Sequence, residues 1–485
     1  VTNDVGPCVI GLDVGTQGAR AVAVTAQGHV LASASEPFRD AVIELPKPLV
    51  EQRPEAWWEA AALCLRRVMS DVGGVEVRAL AVDSTSGTFV PVDAAGRPLR
   101  PALMYNDGRA GPGLADEVQQ AGQELASRLG YRFPPAFALP KMLWLKREEP
   151  EVFDRAARLI HATDYLVGRL TGRFDVTDTS TALKSGVDLE TGAWPSFIGD
   201  ALGIPRDKLP DVVSPGDPIG PVWDPACRET GLRPETTVVG GATDGTACFL
   251  ASGASAPGQW NSTLGTTLVL RGVSERIVHD PAGRYYCHRH PEGYWLPGGA
   301  SNVGGECLAV RFAGRDLAEL DRAAAACLPT GLVVYPLVRR GERAPFECPA
   351  AEGFVLGGAC SEAEGFAAHL EGVALVERWC FDTLAELGAV AGDTIRATGG
   401  GSRSDVWLQV RADVLQRCLE RPTVSDGAMG SALLAASRTL FDGLTGAARA
   451  MVRIAKRVEP DPAGAACYAD KLRRLRERCR ELGYL

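Results

Sequence analysis

The sequence has no C-x-x-C pair, no apolar run approaching the ~20 residues a membrane span requires, and no surplus of basic residues. Each absence excludes something. A formal net charge of -9 argues against nucleic acid as a general partner, because a phosphate backbone needs a basic face. A local pocket for one nucleotide stays compatible with it. The segment Val1-Thr2-Asn3-Asp4-Val5-Gly6-Pro7 offers neither the basic flank nor the apolar core of a signal peptide. No membrane partner is therefore expected, and the expected compartment is the cytoplasm. The thirteen cysteines are scattered, most of them in apolar contexts, which predicts buried free thiols. In Cys287-His288-Arg289-His290, strand alternation would set Cys287 apart from the two histidines. With no further ligand group at zinc-site spacing, no metal is expected there.

What is present is ample apolar content, 46% against 23% charged, over 485 residues. That length predicts two large domains, here drawn at 1–250 and 251–485. The organising stretch is Val9-Ile10-Gly11-Leu12-Asp13-Val14-Gly15-Thr16-Gln17-Gly18-Ala19-Arg20 with Ala21 to Val24. Two apolar runs flank a Gly-Thr-Gln-Gly turn, the grammar of a β-hairpin. Backbone N–H groups, the Thr16 hydroxyl and the Arg20 guanidinium suit phosphate oxygens at such a tip. The Asp13 carboxylate beside them suits a hydrated Mg²⁺. An ordinary hairpin with a polar turn reads equally well from these residues alone.

A third strand, Val30 to Ser35, precedes a Pro- and charge-rich loop to Arg53, then a helix from Pro54 to about Val72. Val77 to Val82 reads as a buried strand ending in Asp83-Ser84-Thr85-Ser86-Gly87-Thr88, before a strand Phe89 to Val92. The stretch Tyr105-Asn106-Asp107-Gly108-Arg109 offers an aromatic face, a carboxylate and a guanidinium, as a sugar contact would. The alternative there is a loop ion pair of Asp107 with Arg109. Leu114 to Leu129 and Lys141 to Leu145 look helical, and Arg158 to Leu170 a strand and helix with Asp164 as a possible cap. Thr171 to Pro234 is loop-rich. Asp244, after the strand Thr237 to Gly241, sits where a helix dipole favours its ionised form, as general base or as a simple N-cap.

The hairpin grammar then recurs in Gln259 to Leu270, around Leu264-Gly265-Thr266-Thr267. An internal duplication of that hook predicts two similar domains facing each other across a cleft. Beyond it, Tyr294 to Asn302 reads as a strand followed by a glycine-rich turn, Leu332 to Leu337 as a buried strand, and Ala363 to Leu387 as a long amphipathic helix. Ile395 to Thr398 runs into Gly399-Gly400-Gly401-Ser402-Arg403-Ser404 and a helix from Asp405, a joint on which a nucleotide can lie flat. Gly427 opens a helix of small residues, and the basic tail Ala463 to Leu482 reads as a solvated amphipathic helix.

Taken together, these stretches resemble the FGGY carbohydrate kinases of the sugar kinase–Hsp70–actin superfamily, from about Val9 to Ala436. Asp13 to Arg20 is similar to that family's first phosphate motif, Tyr105 to Arg109 to its sugar motif, and Gly241 to Gly245 to its catalytic segment. Leu264 to Thr267 is similar to the second phosphate motif, and Gly399 to Ser404 to the adenosine motif. The resemblance implies an α/β fold of two ribonuclease H-like (actin-like ATPase) domains and ATP-dependent phosphorylation of a sugar hydroxyl. Asp244 would be the base, with Asp13 and Asp244 at the Mg²⁺ and the sugar between Asp13, Ser86, Tyr105, Asp107, Arg109 and Asp244. ATP would meet Gly15, Thr16, Gln17, Arg20, Gly265, Thr266, Gly400, Gly401 and Ser404. The Asp83 to Thr88 segment replaces the Met-His-Gly of familiar xylulokinases and the Arg-Glu of glycerol kinases. It looks more like the D-ribulose kinase-like branch, so D-ribulose is the expected substrate and D-xylulose or a related polyol the alternative. A non-catalytic nucleotide-binding relative of actin and Hsp70 is the alternative of another class. A homodimer is compatible with all of these.

Overall fold

The computed structural model describes residues 6–485, so the start of the segment read for targeting, Val1 to Val5, lies outside the described residues. The chain divides into two units. The first holds the chain up to Gly253 with His288–Gly293 and Val424–Val452; the second holds Ala254–Cys287, Tyr294–Thr423 and Arg453–Leu485.

In the first unit, Cys8–Val14 and Gly18–Thr25 pair antiparallel, and Val30–Pro37 extends the sheet on one side. Val77–Ser84 lies parallel on the other side, followed by Thr237–Val239. The Val9 to Val14 run is apolar at nearly every position because it is a central strand covered on both faces. Helix Pro54–Val72 starts and ends as the sequence indicates, with Pro in its first turn and Gly73 at φ 63 beyond its end. It lays Trp57, Leu65 and Val68 into the core.

The second unit repeats this order. Trp260–Leu264 pairs antiparallel with Leu268–Gly272, which pairs with Trp295–Ser301; on the other side lie Thr394–Thr398 and then Cys418–Pro422, both parallel. The duplication read from two Gly-Thr turns is therefore a duplication of sheet topology. Even the register is kept. Asp13 stands beside Asp83 in the first sheet, and Thr263 stands beside Thr398 at the matching place in the second.

Four expectations are corrected. Phe89–Val92 leaves the main sheet for a small five-stranded sheet that also takes in Val42–Ile43 and Glu51–Gln52 of the supposed loop. Two-residue strands have no periodicity to read. Helix formation over 114–129 is interrupted at Gly122, giving Gly111–Ala121 and Gln123–Leu129. Gly298 and Gly299 lie inside a strand, not in a turn. A Cβ at Gly298 would stand 2.5 Å from the Leu270 carbonyl oxygen and one at Gly299 would stand 2.6 Å from the Tyr285 ring, so close approach of neighbours requires glycine. The tail helix, Ala465–Glu481, buries Tyr468, Lys471, Leu472, Leu475 and Cys479. Lys471 bonds the buried Glu371 carboxylate at 2.5 Å, so this helix is docked. Asp164 caps its helix from the third helical position, its carboxylate accepting from the His161 N–H at 2.8 Å. Among the described residues no helix is long and apolar enough to cross a membrane. All thirteen cysteines are free.

The core of the second unit is pinned by a buried ion pair. Arg411, on helix Asp405–Leu415, donates to Glu377 of helix Glu362–Glu386 at 2.7 and 2.9 Å, and to the Ser262 hydroxyl at 2.9 Å. Both side chains are fully buried. Glu377→Ala should destabilise the protein by about 3–5 kcal/mol, because Arg411 is left uncompensated, while Glu377→Leu with Arg411→Met should recover most of that loss. Denaturant midpoints check this; a wild-type midpoint for the single variant would contradict it.

Candidate active site

The first hook is braced from outside. Gly15 N–H donates to the Gly18 carbonyl at 3.0 Å, Gln52 donates to the Thr16 carbonyl at 2.9 Å, and Phe38 N–H donates to the Gln17 carbonyl at 2.9 Å. With the carbonyls so occupied, the Thr16 and Gln17 side chains stand exposed at the tip. Arg20, directly across the hairpin from Asp13, forms an ion pair with Asp426 at 2.9 Å.

Around this tip the first unit gathers carboxylates. Asp83 is fully buried and accepts from the Ser431 hydroxyl at 2.6 Å, while its other oxygen has no hydrogen-bond partner. Helix Gly427–Ser437 begins directly over the pair. A Cβ on Gly427 would stand 2.8 Å from Asp83 Oδ1 and 3.0 Å from Asp13 Oδ2. Burial, then the charges of Asp244 and Asp426, pushes the Asp13 carboxyl up to about 6. Burial, and next the charge of Asp13, raises Asp83 well above the usual carboxylate range. Sequence reading names Asp83 only as the start of the Asp83 to Thr88 segment and does not single out Asp426; a place for Asp83 in the cluster emerges only from its parallel register with Asp13.

Asp244 is the first residue of helix Asp244–Ala251, with Thr243 at the cap position. Its Oδ1 accepts from the Gly245 N–H at 2.7 Å. The preceding bend is fixed by Gly241, where a Cβ would stand 2.0 Å from the Val82 carbonyl oxygen, and by Ser180, which accepts from the Thr243 N–H at 3.2 Å. The helix meets Gly430 so closely that a Cβ there would stand 1.8 Å from the Ala247 carbonyl oxygen.

The two segments read as sugar contacts are neighbours. Thr88 Oγ1 accepts from the Tyr105 N–H at 3.1 Å and shares a hydrogen bond with Thr85 at 2.8 Å. Ser86 is half-buried, its carbonyl accepting from Lys184 at 3.1 Å, and the Tyr105 ring is 36% exposed. Asp107 and Arg109 form the ion pair that the sequence left as an alternative, at 2.8 Å. Asp107 also accepts from the Val50 N–H at 2.6 Å, and Arg109 reaches Glu51 at 2.7 Å while lying over the Trp144 ring. Against burial, which would raise it, the bonds from Arg109 and Val50 hold the Asp107 carboxyl below its usual range. Lys141 and Lys184 were missed. For Lys141 a signal existed: a lone lysine among Leu139, Pro140, Met142 and Leu143.

In the second unit the Gly265 N–H donates to the Thr267 carbonyl at 3.0 Å, and the Gly305 N–H donates to the Gly265 carbonyl at 2.8 Å, leaving the Thr266 side chain exposed. The glycine joint packs beneath that turn. Gly399 has φ +84, and a Cβ there would stand 2.5 Å from the Leu264 carbonyl oxygen, whereas nothing lies within 4 Å of a Cβ on Gly400. A Cβ on Gly401 would stand 2.6 Å from the Leu264 side chain. Ser404 is the N-cap of the following helix, accepting from the Trp407 N–H at 2.8 Å and donating to Asp321. Cys287, in the other stretch weighed for metal, bonds through its sulfur to the Val278 backbone.

Two adjoining family models match this chain, the N-terminal domain of the FGGY family of carbohydrate kinases over residues 8–251 and its C-terminal domain over residues 261–439. The chain belongs to the FGGY family of carbohydrate kinases. It is 30% identical over 442 residues to a xylulose kinase of Klebsiella pneumoniae, covering 88% of this chain and 89% of that protein. It is 28% identical over 432 residues to a gluconokinase of Bacillus licheniformis, covering 84% and 83%. The crystal structure of a xylulose kinase from Rhodospirillum rubrum superposes with a TM-score of 0.86 at 30% identity, over 98% of this chain and 99% of that one. The protein is thus an ATP-dependent sugar kinase with the mixed α/β two-domain fold of the actin-like ATPases. This answers the non-catalytic alternative.

The close seams of this kinase make a direct prediction. Gly430→Ala forces the Gly427–Ser437 and Asp244–Ala251 helices apart and should cost about 1–3 kcal/mol despite alanine's better helix propensity. A melting temperature at or above the wild-type value would contradict it.

Proposed function

We propose that this kinase transfers the γ-phosphoryl group of ATP to a hydroxyl of a ketopentose, D-xylulose in the first place. The observation that carries the substrate class is the likeness to proteins named xylulose kinase over nearly the whole chain. A second reading, D-ribulose, is favoured by one feature, the Asp83-Ser84-Thr85-Ser86-Gly87-Thr88 segment in place of Met-His-Gly.

In this reading Asp244 accepts the proton of the sugar hydroxyl as its oxygen bonds to the γ-phosphorus and the bond to the ADP oxygen breaks. Positioning and charge neutralisation dominate the barrier of such a transfer. Asp13, Ser86 and Tyr105 meet the sugar, and the Asp107–Arg109 pair holds the loop that presents it. In the first unit Gly15, Thr16, Gln17 and Arg20 serve the phosphates. In the second, Gly265 and Thr266 serve phosphate, and Gly400, Gly401 and Ser404 form the adenosine seat. The carboxylates fit Mg²⁺: the donors are all oxygen, and Asp13 is raised by burial and then by the charges of Asp244 and Asp426, which a cation would offset. Among the described residues no three acidic, His or Cys side chains form a ready cage. Mg²⁺ needs none, since it binds through one or two carboxylates and substrate phosphates. Asp13, with Asp244 beside it, would hold the ion, which supplies neutralisation of phosphate charge. Thirteen free thiols favour a cytoplasmic setting.

ADP release with Mg-ATP against D-xylulose, D-ribulose, L-ribulose, gluconate and glycerol tests the substrate. The highest kcat/KM is expected for D-xylulose; a maximum for D-ribulose supports the second reading, and turnover of neither ketopentose overturns both. Asp244→Asn should lower kcat by roughly 10²–10⁴-fold, and Ser86→Ala should raise the sugar KM. The free-enzyme profile of kcat/KM for Mg-ATP should fall as pH drops through about 6, because Asp13 is raised to about 6 and only its ionised form attracts the cation. A profile level down to pH 4.5 would remove Asp13 from that role.

A further inference from the structure

Helix Ala138–Glu148 carries a side chain that no part of the proposed reaction uses. Lys141 is fully buried, and its ammonium donates to the Gly87 carbonyl at 2.8 Å and to the Met104 carbonyl at 2.7 Å. Those carbonyls belong to different segments, one closing the Ser84 to Thr88 loop and the other immediately preceding Tyr105. Gly87 has φ +85, a left-handed conformation natural to glycine, and a Cβ there would stand 2.8 Å from the Lys184 side chain. One turn further along the helix, Trp144 lies beneath Arg109, with 4.8 Å from guanidinium carbon to ring centroid. Residues three apart share a helix face. The same face therefore grips the Tyr105 to Arg109 loop at both ends.

A buried ammonium is costly unless its surroundings compensate it. Methionine would fill similar volume without that cost, so packing alone does not account for a lysine here. What methionine cannot do is hold two carbonyl oxygens of separate loops to one nitrogen. Burial pushes Lys141 down to about 7, Asp107 pulling it up and Lys184 and Arg109 pushing it further down. The neutral amine keeps two N–H donors, so the tie survives loss of the proton.

We propose that Lys141 is a positioning residue that fixes the spacing of the Ser86 and Tyr105 loops and thereby the kinase's affinity for its sugar. This rests on the reading of those loops as the sugar side. The test is steady-state kinetics of Lys141→Ala with the sugar and Mg-ATP varied separately, with and without added propylammonium. The sugar KM should rise about tenfold or more with the ATP KM within about twofold, as misplacement near 1 Å would produce, and propylammonium should lower the sugar KM again. An unchanged sugar KM, or both KM values rising together without rescue, overturns the proposal. If that variant does not fold, Lys141→Arg decides. It keeps charge and donors but cannot set one nitrogen between the two carbonyls, so a sugar-selective KM rise at near-wild-type melting temperature supports the tie and unchanged KM values overturn it. Ser86→Ala and Tyr105→Ala run alongside. If they leave the sugar KM unchanged while the Lys141 variants raise it, the roles of the Ser86 and Tyr105 side chains fall and the tie stands. If they raise it while the Lys141 variants do not, the tie alone falls.

Discussion

The first unit is organised by a seam in which backbone touches backbone. A Cβ on Gly11 would stand 1.8 Å from the carbonyl oxygen of Ala428, and one on Gly430 would stand 1.8 Å from that of Ala247. Helix Gly427–Ser437 is thus wedged against the central strand on one side and the Asp244 helix on the other, with no side chain between. From that contact the acidic cluster follows. Ser431 reaches Asp83, Gly427 admits Asp13 and Asp83 beneath the helix start, and Asp426 comes within reach of Arg20. A larger residue at any of these glycines would displace several carboxylates at once, because interiors at native density transmit displacement.

The cluster is expensive in the free protein. Fully buried Asp83 stands beside half-buried Asp13, Asp244 and Asp426 add to the field, and Arg20 pairs with Asp426. Like charges held together in low dielectric raise one another's pKa. Such an arrangement is poor for stability and chemically suited to a cation, since the oxygen donors are held in place beforehand. The Ser84 to Thr88 and Tyr105 to Arg109 loops show the opposite economy. There Arg109 pairs with Asp107 and Glu51, Lys141 is held by the Gly87 and Met104 carbonyls, and Tyr105 stays exposed beside half-buried Ser86.

Features set by local sequence were legible: both hairpins, the Pro54 helix, the glycine joint with the helix that follows it, and Asp244 at a helix start. Each is encoded within a few residues by periodicity, glycine or a cap. Features set by contact between distant segments were not. Asp83 gains significance from the strand beside it, Lys141 from two loops that converge on it, and Gly298 and Gly299 from a neighbouring carbonyl and ring. The tail helix looked solvated because its charges are numerous. Lys471 is nonetheless buried, because Glu371 receives it. Short strands such as Glu51–Gln52 carry too few residues for any pattern, and tertiary pairing alone defines them.

The duplicated hooks differ in one chemically decisive respect. At the position of Asp13 the second hook has Thr263, and at the position of Asp83 it has Thr398, two hydroxyls hydrogen-bonded to each other at 2.9 Å and to Asn261. Arg20 likewise corresponds to Val269, each being the cross-strand partner of the matched position in its own hairpin. The geometry of the turn is retained while its charge is removed. A neutral turn with free backbone N–H groups can meet a phosphate without help, whereas a turn flanked by carboxylates repels phosphate unless a cation lies between them. The duplication therefore supplies two structurally similar grips of unlike electrostatics. Only the hook of the first unit, which also carries Asp244, keeps carboxylates at these two positions, Asp13 and Asp83.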